Sequence, residues 1–238
     1  MARSVAIHQP NFFPWLGYFD KIRRADRFVF LDRVQQQKTG GTWTNRVKLL
    51  IGGEGRWATA PIDRSYHGAR SIAEIGFMEG SPWRDKLLRT LEAAYARAPH
   101  YAGTMEVLAP LVADPETRLA EYNIRAVSAI AAALGMDTGR LCRSSQLEVE
   151  GRATDLLVAV VQAVGGTSYL CGGGAGGYQD DAAFAAAGLA LDYQSFVHPV
   201  YPQLGAAPFV PGLSIVDALM SCGFAGVAAL LAGSPKGQ

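Results

Sequence analysis

The sequence predicts an α/β fold, a parallel or mixed sheet carrying a helical middle block at about 81–135. Three observations predict it. A strand, a helix and a second strand fit into roughly the first thirty residues, the size of a βαβ unit. From Ser81 the apolar spacing becomes helical, and after Gly151 helices and strands alternate again.

Ser4 to Ile7 reads as a short buried strand, Pro14 to Arg24 as a helix with proline in its first turn, and Arg27 to Asp32 as the second strand. Val34 to Gly41 is polar and reads as a loop. Thr42 to Ile51 and Arg56 to Ile62, separated by Gly52-Gly53-Glu54-Gly55, read as a β-hairpin. Ser81-Pro82 supplies a cap and a first-turn proline, after which Trp83, Leu87, Leu88, Leu91 and Tyr95 recur on one helix face. Helices follow at about Met105 to Val112 and Pro115 to Leu134, the second stopped by Gly135. Asp155 to Val164 is an apolar helix ending at Gly165-Gly166, and Thr167 to Cys171 is a strand. A helix to Ala187, a strand near Leu189 to Phe196 and an amphipathic helix from Ser214 to Cys222 complete the pattern. No repeat or linker divides residues 1–238, which are read as one domain.

Composition narrows the function classes. The chain has 238 residues, 49% of them hydrophobic and 18% charged, which suits a folded globule with a sizeable core. Lys+Arg 22 against Asp+Glu 21 leaves a net charge of +1, so no footprint for duplex nucleic acid or an acidic membrane is expected. The default partner is a small molecule. The first apolar run is cut by His8-Gln9-Pro10, unlike a signal peptide, and no uninterrupted apolar stretch is expected to reach the roughly 18 residues of a membrane span. A cytoplasmic protein is expected. Cys142, Cys171 and Cys222 have no metal-type spacing and are odd in number, as befits free thiols, and no metal site is expected.

The segment His8 to Phe19 concentrates polar, aromatic and proline residues where the first strand hands over to the first helix. Open α/β sheets bind ligands outside the carboxyl ends of their strands, so His8, Gln9 and Asn11 face a crevice rather than a core. Cys171 ends a later strand beside Gly172 to Gly177, and its thiol is a candidate nucleophile with His8 or His198 as base; a packed small residue is the structural alternative. The glycines could cradle a phosphate, although the segment lacks a Walker lysine and dinucleotide spacing. Asp32 could hold an amine, a hydroxyl or a metal, or merely cap a turn. Arg46, beside Asn45, offers a planar fork for a carboxylate or phosphate. Tyr201 and Gln203 share one face of an extended segment.

Together these residues resemble the WbqC-like family, named after a protein encoded among O-antigen biosynthesis functions. The resemblance is carried by His8 to Ile22, Ala25-Asp26, Leu31-Asp32, Val34-Gln35, Asn45-Arg46, Trp57, Tyr169 to Gly172, Tyr178, Tyr201 to Gln203, Phe209 and Ser214 to Asp217. It implies a role in surface-glycan or specialised-metabolite assembly, in which an amino sugar or similar amine is modified by acyl or aminoacyl transfer. The resemblance leads one to expect Ser where this chain has Cys171, which argues against thiolate catalysis as a shared mechanism. A more distant similarity is to the nucleotide-binding fold of nucleotidyltransferases and pantothenate synthetases, a Rossmann-like type. Trp15-Leu16-Gly17-Tyr18 occupies the slot of their His-x-Gly-His motif, without either histidine. Adenylyl transfer loses its phosphate-stabilising imidazoles there.

The expectation that follows is a transferase acting on an amine. His8 would be its general base, oriented by Asp32, with Cys171 the third candidate for the chemistry. Gln9, Asn11, Trp15, Tyr18, Asn45, Tyr201 and Gln203 would line the substrate, and Arg46 with Tyr178 would hold the donor's anionic or carbonyl part. The donor could be free or borne on a carrier protein, and no obligatory cofactor is expected. An ATP-dependent, magnesium-requiring amide ligase and a non-catalytic scaffold with the loop Phe12 to Phe19 as its contact surface are the alternatives. No oligomeric state follows from the sequence.

Overall fold

The strand expected at the start of the chain becomes the centre of the molecule. In a computed structural model that describes residues 3–38, 42–172, 179–205 and 208–233, β1 (Ser4–His8) pairs in parallel with β2 (Arg27–Phe30) on one side and β6 (Ser168–Cys171) on the other. β5 (Leu141–Arg143) extends the sheet beyond β2 and β7 (Ala190–Tyr193) extends it beyond β6. The result is a five-stranded, wholly parallel sheet in the order β5-β2-β1-β6-β7. Such a sheet must be covered on both faces. Ala6, Phe28, Phe30 and Leu170 belong to one buried cluster, while Val5, Ile7, Val29, Tyr169 and Cys171 alternate into another.

The second cluster is closed by α5 (Ala153–Ala163) and α6 (Asp181–Ala186), through Val160, Val161 and Phe184, whose ring stacks on Tyr169 at 5.2 Å. The first lies under α1 (Leu16–Arg24) and the inserted block. That block consists of α2 (Trp83–Tyr95), α3 (Tyr101–Ala113) and α4 (Leu119–Ala133). α2 buries Trp83, Leu87, Leu91 and Tyr95, the stripe its spacing predicts, each contributing on the order of 1.5–3 kcal/mol. Leu88, expected on the same face, is only partly buried at its edge.

The hairpin forms from β3 (Arg46–Ile51) and β4 (Glu54–Thr59) as a separate antiparallel pair. Its connection is shorter than the expected Gly52 to Gly55. Ile51 pairs with Glu54, and Gly52 and Gly53 alone turn the chain at φ of 63° and 81°, values that fit a tight hairpin turn and that side chains resist.

Other elements depart from the expectations. Pro14 precedes Trp15, the N-cap of α1, so it stands outside the first turn, and Pro82 itself occupies the N-cap of α2 with no side-chain cap from Ser81. The edge strand β5 was not anticipated, because its residues are too few to show a period. The last helix, α7 (Ile215–Ala232), breaks at Gly223, whose φ of 68° is not helical, so the expected segment to Cys222 is its first half and a second half follows; that first half is not amphipathic, since Ile215 to Ser221 are all buried and α7 packs against α1, α3 and β3. Its 18 residues meet the length and mean apolarity of a membrane span, but Asp217 interrupts the apolar run and is bound by three donors, Gly223 breaks the helix, and half of it lies inside the protein.

Candidate functional site

The direction of chain progression across the sheet reverses at β1. From β1 the chain steps to β2 through α1 on one face, whereas β6 leads to β7 through α6 on the other. The crevice outside the carboxyl ends of β1 and β6 is therefore the topological switch point, where open α/β sheets take their ligands. His8 and Gln9 border it from β1, Cys171 and Gly172 from β6.

The loop after β1 is held rigidly. Asn123 Nδ2 donates to Pro10 O at 2.9 Å, Phe12 N–H to Trp43 O at 2.7 Å, Ser214 Oγ to Phe13 O at 2.6 Å and Ile215 N–H to Pro14 O at 2.8 Å. Phe13 sits at φ 45°, a backbone conformation that costs on the order of 1 kcal/mol and persists only where surroundings enforce it. The consequence is a fixed aromatic wall. The His8 ring lies 4.8 Å from that of Tyr18 and 5.5 Å from Trp15; Trp15 meets Trp43 at 4.8 Å, and Trp43 meets Trp57 at 4.7 Å. A side chain at Gly17 would come within 2.9 Å of the Trp15 indole, so glycine there is what lets the ring lie across the start of α1.

Lys21 reaches this crevice from α1. It is 4% exposed, its Nζ lies 3.7 Å from where a Cβ on Gly172 would stand, and it has no carboxylate partner among the described residues. Burial lowers its pKa from the ordinary 10.5 to about 8, against a smaller opposing influence of Cys171. His8 is pushed the other way from usefulness as a base. Burial, with the positive charge of Lys21, lowers it to about 3. Its Nδ1 lies 3.1 Å from Gln9 O, and since a carbonyl only accepts, Nδ1 carries the proton and Nε2 is left as an acceptor.

His8 also makes stability depend on pH. Its folded value lies below its unfolded value of 6.5, so the unfolded chain binds the extra proton first; the contribution is complete above 6.5 and is lost as pH falls toward 3. Urea unfolding at pH 7, 6 and 5 is expected to show a loss on the order of 1–2 kcal/mol that His8→Gln removes. Equal pH slopes in the two proteins would contradict the buried neutral imidazole.

Cys171 is fully buried, donates its Sγ–H toward Asp192 O at 3.5 Å and has its pKa raised by burial, so the thiol stays protonated. His198 does not approach it. That ring packs among Phe196, Tyr201 and Phe209, with Nδ1 3.0 Å from Pro199 O.

The other expected site residues fall in three places. Asp32 takes a structural part at the sheet edge: its carboxylate accepts Ser144 Oγ–H at 2.8 Å, Ser145 N–H at 2.9 Å and Ser145 Oγ–H at 2.6 Å, tying the end of β2 to that of β5. Asn45 is buried and donates to Ala60 O at 3.0 Å, closing the hairpin, while the Arg46 guanidinium lies 4.4 Å from the Trp57 ring centre, at the far end of the aromatic wall. Tyr201 and Gln203 are brought together, but around Asp217, which accepts Tyr201 Oη–H at 2.8 Å, Gln203 Nε2–H at 3.0 Å and Tyr95 Oη–H at 3.1 Å. Asn11 is buried in the loop beside Tyr18, whose own hydroxyl donates to Gln9 O at 2.9 Å. Tyr178 and Gly173 to Gly177 lie outside the described residues.

Lys21 and Asp217 are what sequence reasoning missed, and both had a signal. Lys21 stands three residues after Tyr18 and four before Ala25, on the apolar face of α1; Asp217 is the sole charge in the run Ile215 to Ala232. Among the described residues no three His, Cys, Asp or Glu side chains are grouped as metal ligands.

Residues 9–229 match the profile of the WbqC-like protein family. An uncharacterized protein of Mycobacterium tuberculosis, Rv1507c, is 32% identical over 225 residues, covering 93% of this chain and 94% of its own. No solved structure matches.

Proposed function

The chain belongs to the WbqC-like protein family, and from that premise we propose that it is a transferase joining an acyl or aminoacyl group to a small-molecule amine, such as an amino sugar, at the switch point. One observation carries the reading: a buried amine, Lys21, with its pKa brought to about 8 beside a rigid aromatic wall. Near neutral pH an amine of that kind gives and takes protons readily. In its neutral form Lys21 removes a proton from the acceptor ammonium. The freed nitrogen attacks the donor carbonyl carbon, the bond to the leaving group breaks, and the Lys21 ammonium returns the proton to that group; the neutral Lys21 so restored takes the second proton from the new amide nitrogen and passes it to solvent. His8 Nε2 accepts a hydrogen bond from the acceptor, Gln9 fixes its orientation, and Trp15 and Trp43 give it a face to stack on. Base function thus moves from His8, whose low basicity disfavours it, to Lys21.

A second reading, an adenylate-forming amide ligase, is favoured by the order of the parallel sheet, which is that of doubly wound nucleotide-binding folds. Thermal unfolding against acyl-CoA compounds, nucleotide sugars, amino acids and ATP with magnesium separates the two. Stabilisation by an acyl donor or amino sugar, lost in Trp15→Ala, supports the transferase. Carboxylate-dependent pyrophosphate release with ATP would replace it by the ligase.

A further inference from the structure

A large cavity lies away from the sheet crevice. It measures about 860 Å³ and opens between α2 and the Gly52-Gly53 turn of the hairpin. Lys86, Arg89 and Arg97 line it together with Thr90, and no carboxylate does. Positions 86, 89, 90 and 93 fall on one face of α2, and Arg97 joins the lining from the turn just after the helix, so all three cations border the same space.

Several other cations of the chain are paired. Arg56 pairs with Glu54, Arg125 with Asp114 and Glu116, Arg140 with Asp137 and Arg143 with Glu121. Among the described residues, Lys86, Arg89 and Arg97 make neither an ion pair nor a side-chain hydrogen bond. In a chain of net charge +1, such a concentration is local rather than a consequence of a basic composition. Concave walls focus this positive potential and raise the local concentration of anions.

The cavity continues into a second of about 480 Å³, sharing Ile51, Lys86 and Thr90 and walled by Phe12, Trp57 and Trp83. Trp57 is 40% exposed, which leaves aromatic surface available next to the cationic end. We infer that this groove binds a phosphorylated small molecule, its phosphates against Lys86, Arg89 and Arg97 and its organic part toward Trp57. Guanidinium groups suit phosphate because their N–H donors match its oxygens in pairs.

The test is calorimetric titration of the full chain with sodium tripolyphosphate and, separately, with magnesium-free ATP. The proteins compared are the wild type, the double variant Arg89→Glu/Arg97→Glu, and Arg152→Glu, whose exposed side chain precedes α5 elsewhere on the molecule. Arg89 and Arg97 are exposed, so the double variant keeps the unfolding temperature of the ligand-free protein. Binding weakened roughly tenfold or more in the double variant and unchanged in Arg152→Glu is expected. ATP binding more tightly than tripolyphosphate, with the excess removed by Trp57→Ala, identifies a nucleotide-like ligand; equal affinities identify phosphate as the whole of what is read. Absence of binding to the wild type, or an equal loss in the double variant and Arg152→Glu, overturns the site. Because no turnover is measured, failure here is independent of the reaction at the sheet.

Discussion

Lys21→Met is expected to stabilise the protein and to abolish its reaction. Holding the ammonium in its buried position lowers the lysine from 10.5 to about 8, which at about 1.4 kcal/mol per pH unit is a cost on the order of 3 kcal/mol at neutral pH. Methionine fills a similar volume without the charge. The sign follows from linkage. Between about 8 and 10.5 the unfolded chain holds a proton that the native lysine has lost, so wild-type stability rises with pH through that window. Lys21→Met should be more stable than wild type at pH 7 in urea unfolding, and the difference should shrink as pH climbs from 8 to 10. With a substrate pair established by the ligand screen, turnover should fall by roughly 10²–10⁴, the range of a lost general acid–base group. Stability gained while activity is lost marks a charge kept for function. A destabilised Lys21→Met with a flat pH difference would instead assign the lysine to packing.

Asp217→Ala is expected to have the largest effect on stability. Tyr95 from α2, Tyr201 and Gln203 from the segment before α7 all donate to this one carboxylate, and Tyr95 Oη in turn accepts Leu50 N–H at 2.8 Å from β3. The substitution leaves buried donors without an acceptor in a place water does not reach, a loss of about 3–5 kcal/mol. Asp217→Asn keeps one acceptor oxygen and should lose less. Urea unfolding monitored by circular dichroism measures both, and a loss below about 1 kcal/mol for Asp217→Ala would show that the network relaxes rather than holds. The consequence reaches beyond one helix, because this carboxylate joins the hairpin, the inserted block and the C-terminal segment.

Much of the architecture was legible in the chain. The apolar run Val5-Ala6-Ile7 and the stripe Trp83, Leu87, Leu91 and Tyr95 carry periods strong enough to declare their own burial, and Gly135 and Gly165 mark helix ends where the structure has them. Short or wholly buried elements were less legible. β5 has too few residues for a period, and the first half of α7 is buried on every side, so its pattern cannot say which face is inward. The candidate site was half legible. His8, Gln9, Trp15 and Tyr18 were found because polar and rigid residues crowd a strand-to-helix junction, where an open sheet presents its crevice.

By itself the sequence determined the α/β class, the helical insertion and the loop that borders the crevice, since each rests on local spacing and turn chemistry. Only the tertiary structure decided which polar groups share a site. Asp32, Tyr201 and Gln203 had the right chemistry but found their partners in Ser144, Ser145 and Asp217, many residues away, and serve the fold. Lys21 looked like any helical lysine until the chain closed around it. Burial and the approach of Cys171 and Gly172 from a distant strand make its amine chemically distinct, and no local pattern encodes a desolvation that depends on segments about 150 residues apart meeting.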